Sequence, residues 1–113
     1  MSIFAARAAK VLVYPEAIDM RYGFEKLAHF VKDRMKANVN EGNLYVFLGK
    51  NRRRIKMLYF DGSGLLLIVK RMEKHAFMNV QELGGRSEIT RRELKFLLHG
   101  SVLRNYEPDK KAA

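Results

Sequence analysis

Ile55-Lys56-Met57-Leu58-Tyr59-Phe60-Asp61-Gly62-Ser63-Gly64-Leu65-Leu66-Leu67-Ile68-Val69-Lys70-Arg71 is the stretch whose reading decides the fold. Two apolar runs flank Asp61-Gly62-Ser63-Gly64, a cluster of turn formers. Runs of this kind on either side of a tight turn predict two antiparallel strands, Ile55–Phe60 and Leu65–Arg71. An even-length turn then pairs Phe60 with Leu65, Leu58 with Leu67 and Lys56 with Val69. Both runs are apolar on both faces, whereas a half-buried strand alternates. Helices must therefore cover both faces, or one face must meet a partner.

Leu44–Leu48 reads as a third strand just upstream, after a loop over Asn38–Asn43. Further back, Phe24, Leu27, Ala28, Val31 and Met35 recur at helical spacing. They predict an amphipathic helix from Met20 to Lys36 with Asp19 as its N-cap and Gly23 in its first turns. Val11–Tyr14 is β-branched and aromatic and stops at Pro15, which predicts a short strand. Downstream, Ala76–Val80 is a candidate further strand, and Gly84-Gly85 breaks the chain. Thr90-Arg91-Arg92-Glu93 is a capping box ahead of Leu94, Leu97 and Leu98, with Gly100 as the C-terminal stop. The order β, α, meander, α predicts an α+β fold. An antiparallel β-meander sheet of four to five strands would carry two main helices. We expect a single domain over residues 1–107 and a flexible polar tail over 108–113.

The chain has 113 residues, enough for one domain with a core of its own. Hydrophobic residues at 48% and charged residues at 30% argue against global disorder. Cys is absent, which excludes disulfides, thiolate zinc sites and a cysteine nucleophile. Residues 1–9 are too short and too interrupted by Arg7 for a signal sequence, and Leu65–Val69 is the longest aliphatic run. A cytoplasmic protein without membrane contact is expected. The net charge of +10 implies a polyanionic partner, most often nucleic acid.

Most of that charge is concentrated. Lys50, Arg52, Arg53, Arg54, Lys56, Lys70, Arg71 and Lys74 face only Asp61 and Glu73 between positions 50 and 74. Gly49–Arg54 joins two strands and should project from a hairpin end. Arginine suits that place, because its planar fork grips phosphate oxygens in two places. Without a phosphate partner, the same run would be a solvated loop. The antiparallel pairing brings Lys70 and Arg71 to the same hairpin end, so these cations are expected to form one phosphate-binding surface. Tyr45, Phe47, Tyr59, Phe60 and Phe77 interleave with them. Such rings can stack bases, but strand aromatics are usually core, and core is the expectation here.

Nothing points to catalysis. Metal-dependent phosphoryl chemistry gathers several carboxylates around its cations, and Asp19, Asp33, Asp61, Glu73 and Glu82 are scattered. His29, His75 and His99 form no ligand-spaced pair. Gly62-Ser63-Gly64 lies in a hairpin, so it is not a nucleophile elbow. No catalytic residue, metal site or cofactor is expected.

The order of motifs resembles a known family. Ala17-Ile18-Asp19-Met20-Arg21-Tyr22-Gly23-Phe24-Glu25-Lys26-Leu27 is followed by Gly42-Asn43-Leu44-Tyr45-Val46-Phe47. Then come Arg54-Ile55-Lys56-Met57-Leu58-Tyr59-Phe60-Asp61-Gly62-Ser63-Gly64-Leu65, Lys70-Arg71-Met72-Glu73 with Phe77, and Ile89-Thr90-Arg91-Arg92-Glu93-Leu94. This set, running to Gly100, is similar to TnpB, the second-reading-frame accessory protein of the insertion sequence 66 family of bacterial transposons. Tyr59-Phe60 departs from it, where many relatives carry Trp, but keeps the aromatic bulk. The unrelated RNA-guided nucleases share only the name TnpB. The resemblance implies a role in transposition beside an element-encoded transposase, and it carries over no catalytic residue. Together with the charge, it predicts a non-catalytic accessory factor that binds DNA at transposon ends. The alternatives are a protein–protein adaptor docking through the apolar sheet and a small metal-dependent nuclease. The oligomeric state is open.

Overall fold

The computed structural model describes residues 7–74, 76–77 and 86–99. Five strands form one sheet: β1 (Val11–Val13), β2 (Leu44–Leu48), β3 (Arg54–Phe60), β4 (Leu65–Arg71) and β5 (Glu88–Ile89), in the order β4-β3-β2-β1-β5. Among the described residues, helices α1 (Phe24–Asp33) and α2 (Arg91–His99) and a short 3-10 turn at Val39–Glu41 accompany the sheet. This is the α+β architecture expected from the sequence.

The β3–β4 register is the one predicted, with Phe60 opposite Leu65, Leu58 opposite Leu67 and Lys56 opposite Val69. The turn holds that register because Asp61 Oδ1 accepts from Ser63 N at 2.9 Å and from Gly64 N at 3.0 Å. Gly62 takes φ +102°, a conformation that favours glycine.

Side chains on a strand alternate between faces, so the sheet has two cores. Tyr45, Phe47 and Leu58 pack with Leu27 and Val31 of α1. Leu44, Val46, Leu48, Ile55, Met57 and Tyr59 pack on the other face with Leu94 and Leu97 of α2. Helices therefore cover both faces, which explains the unbroken apolar runs.

Three expectations are corrected. First, the sheet is not wholly antiparallel: β1 pairs with β2 in parallel, Val11 opposite Leu44. A parallel neighbour requires a crossover, and the segment containing α1 supplies it. Second, α1 starts at Phe24 with Gly23 as N-cap and ends at Asp33. Asp19 does not cap it. Ile18 N donates to the Leu48 carbonyl and Ile18 bridges to Gly49, which keeps this segment extended beside β2. Asp19 instead closes a turn, accepting from Arg21 N at 2.9 Å. Phe24, placed in the core by its spacing, is 47% exposed at the helix start. Third, Ala76 and Phe77 are not in a strand, although Phe77 is buried in the α2-side core. The remainder of the Ala76–Val80 run lies outside the described residues. So do Gly84-Gly85, Gly100 and the tail. The fifth strand is Glu88–Ile89, antiparallel to β1.

The capping box is present. Glu93 N donates to Thr90 Oγ1 at 3.0 Å, and Thr90 N donates to Glu93 Oε1 at 2.9 Å. Thr90→Ala removes one of these acceptors and is expected to destabilise the fold by about 0.5–2 kcal/mol. An unchanged urea midpoint would show that another group takes over the donor.

Candidate nucleic-acid interface

The β2–β3 connection is built tightly. Gly49 N donates to the Arg54 carbonyl and Arg52 N to the Gly49 carbonyl, both at 3.0 Å. Met20 crosses so close to Gly49 that an added Cβ would sit 2.9 Å from Met20 Cγ. The loop is thus pinned beneath the segment that follows β1. Asn51 Oδ1 accepts from Arg53 N at 3.0 Å, which fixes the next turn.

Lys50, Arg52, Arg53, Arg54, Lys56, Lys70 and Arg71 share the hairpin end, but they do not share a face. Residues paired across antiparallel strands point the same way. Arg54 pairs with Arg71, and Lys56 with Val69; these positions lie on the α1 side, like Leu58. Ile55 pairs with Lys70, and that pair lies on the α2 side. The Lys70 ammonium accordingly donates to the Leu98 carbonyl at 2.8 Å, in the last turn of α2. Cations at a helix C-terminus suit its dipole, so Lys70 has a local role.

Arg52 also has structural work. Its Nη1 donates to the Phe77 carbonyl at 3.1 Å, and its own carbonyl accepts from Phe77 N at 2.6 Å. Its φ is +57°, in the left-handed region. Lys56 is half-buried and donates to the Tyr22 carbonyl at 2.7 Å. Lys50, Arg53, Arg54, Arg71 and Lys74 are exposed. Arg71 Nε also lies 3.8 Å from Glu73 Oε1.

One cation was placed elsewhere by sequence reasoning. Arg21 falls within the helix predicted from Met20 to Lys36, yet the Ile18–Gly49 bridge carries its turn to the hairpin end. An open concavity of about 830 Å³ lies there, lined by Asp19, Met20, Gly49, Lys50, Asn51 and Arg54 among others. Arg21 grips Asp19 at its edge. Its Nε lies 3.0 Å from both carboxylate oxygens, and its Nη2 lies 2.6 Å from Oδ2. No local pattern signals this placement, because the contact that creates it spans thirty-odd residues of chain.

Those bonds lower the Asp19 pKa to about 2, mainly through the Arg21 side chain, then through the Arg21 backbone N–H. A depressed carboxyl pKa stabilises the folded state above the ordinary value, and the contribution disappears as pH falls through the folded one. The Asp19–Arg21 pair should therefore persist at pH 4 and dissolve only near pH 2. A carboxyl NMR titration would check this, and a midpoint near 4 would contradict it.

The interleaved aromatics are core, as expected: Tyr45, Phe47, Tyr59 and Phe77 are buried and Phe60 half-buried. Carboxylates sit in separate local contacts. Asp33 meets His29 at 2.6 Å, Asp61 closes its turn, and Glu93 meets Arg86. Among the described residues no three His, Cys, Asp or Glu gather where a metal ion could sit. His75 and Glu82 lie outside those residues. Among them, too, no helix is long and apolar enough to cross a membrane.

The fold and its charge define a class: a small basic sheet protein with a helix on each face and exposed cations at one hairpin end. Residues 9–108 match the family described as IS66 Orf2 like protein, and the chain belongs to that family. This is the family that the ordered motifs resemble, and membership gives the chain an accessory role in an insertion sequence. The chain is 38% identical over 82 residues to uncharacterized protein y4hO of Sinorhizobium fredii (strain NBRC 101917 / NGR234), covering 73% of this chain and 71% of that one. It is 27% identical over 95 residues to uncharacterized protein y4jC of the same strain, covering 84% and 81%. No solved structure matches the chain.

Proposed function

We propose that this protein binds DNA at the ends of its insertion sequence through the basic hairpin end and assists a separate transposase without cutting DNA itself. The observation that carries the reading is the cross-strand pair Arg54–Arg71. Like charges directly opposite each other destabilise a sheet. An anion laid between them turns that cost into binding. Lys50 and the concavity beside Arg54 extend the positive surface. The family role supplies the context in which DNA is the polyanion at hand.

The adaptor reading rested on an apolar sheet face left open for a partner. Helices pack on both faces, so its motivating feature is absent from the described residues.

The test is duplex binding by the full chain, with element-end and random DNA, across salt. If about five phosphates are neutralised, log affinity should fall against log salt with a slope of roughly −4 to −5. Absence of salt-dependent affinity would overturn DNA binding and restore the adaptor. Cleavage that a chelator stops would revive the nuclease.

A further inference from the structure

Asp19 is an acid among the cations of the hairpin end. It lines a concavity whose other charged lining residues are Lys50 and Arg54, and it pairs with the neighbouring Arg21. The Asp19 carboxylate is held as a phosphate would be held, by the guanidinium fork through Nε and Nη2. The pair is not locked away. The Arg21 side chain is 90% exposed and the Asp19 side chain 32% exposed. Exposed ion pairs of this kind are weak, and an incoming anion can displace them. The half-buried Lys56 also attracts the Asp19 carboxylate weakly.

We propose that Asp19 is a resident competitor for phosphate: it occupies Arg21, a nucleic-acid-contacting residue of the α1-side surface, and so sets the affinity of that surface for the DNA backbone. The inference rests on the DNA-binding reading and assigns two residues it did not include. It also explains why a turn-forming acid stands among cations. Asp19 Oδ1 accepts the Arg21 backbone N–H at 2.9 Å, and an asparagine could make the same turn bond without the charge. The carboxylate therefore does something beyond turning the chain. It holds back one cation from non-specific contact and lowers the local positive charge.

The test is Asp19→Asn in the full chain, measured with random duplex across salt beside wild type. Asparagine keeps the turn acceptor, and an unchanged denaturation midpoint would confirm an intact fold. With Arg21 freed, affinity should rise about 3- to 10-fold at low salt, and the slope should steepen by about 1. The gain should vanish in Asp19→Asn combined with Arg21→Ala. If Asp19→Asn binds with wild-type affinity and slope, the competitor role is wrong while DNA binding stands. If its gain survives Arg21→Ala, Asp19 acts by general repulsion and Arg21 is not the contact. If wild type shows no salt-dependent affinity, the underlying DNA-binding reading itself fails.

Discussion

Glu93→Ala is expected to lower stability by about 2 kcal/mol or more, because it removes a fully buried carboxylate that accepts from both Thr90 N and Arg86 Nη2. Glu93 is 0% exposed, although it lies in the first turn of a surface helix. Its two oxygens do different work. Oε1 accepts the Thr90 N–H and closes the capping box, while Oε2 accepts from Arg86 Nη2. The Arg86 side chain is 27% exposed, so water reaches the pair only in part. Leu94 and Leu97 on the same helix fill the α2-side core, and a loosened first turn disturbs that packing as well. Glu93→Gln separates the two contributions. It keeps an acceptor for Thr90 N but loses the charge, so it should fall between wild type and Glu93→Ala. Urea denaturation with unchanged m-values is the measurement. A loss below about 1 kcal/mol for Glu93→Ala would mean that these two bonds add little to the fold.

What the sequence made legible was what short-range geometry decides. The β3–β4 register follows from turn length and the two-residue period, and every predicted pair is found. The capping box needs only Thr90 and Glu93 at their spacing. The start of α1 was different. Asp19 followed by an amphipathic pattern is the signature of a capped helix and equally of an isolated turn, and a non-local contact decided between them. Phe24 has the right spacing for the core, but the helix begins with it, at an end nothing covers fully. The parallel β1–β2 pairing also depends on where the crossover lands, which no local signal records. At the candidate site, convergence of the cations at one end was legible from pairing alone. Their division between faces was equally contained in the two-residue period. Lys70 and Arg71 are neighbours in sequence and must point apart. Arg52 was not separable from Arg53, because its partner Phe77 lies 25 residues away.

That division decides how the proposed DNA-binding surface should respond to mutation. Lys50→Ala, Arg54→Ala and Arg71→Ala combined should reduce the salt slope by about 2–3, since each removes one backbone contact. A slope near −4.5 corresponds to roughly 500-fold weaker binding between about 50 and about 200 mM salt, and the triple variant should lose only about 10-fold over that range. Random and element-end duplexes should be affected alike, because phosphate contacts position DNA without reading it. Folding should survive, since all three residues are exposed and removing Arg54 and Arg71 relieves a like-charge pair. Arg52→Ala makes the contrasting case. It removes the side-chain donor to the Phe77 carbonyl and should cost about 1 kcal/mol of stability. Its effect on the salt slope should be smaller than that of any residue in the triple. Lys70→Ala tests the opposite face: its amine serves the end of α2, so duplex affinity should change little. Should Lys70→Ala weaken binding as much as Arg71→Ala does, DNA would have to contact both faces of the hairpin. Should the triple variant lose affinity only for element-end duplex, the arginines would be reading base edges, because loss of phosphate contacts weakens every sequence equally.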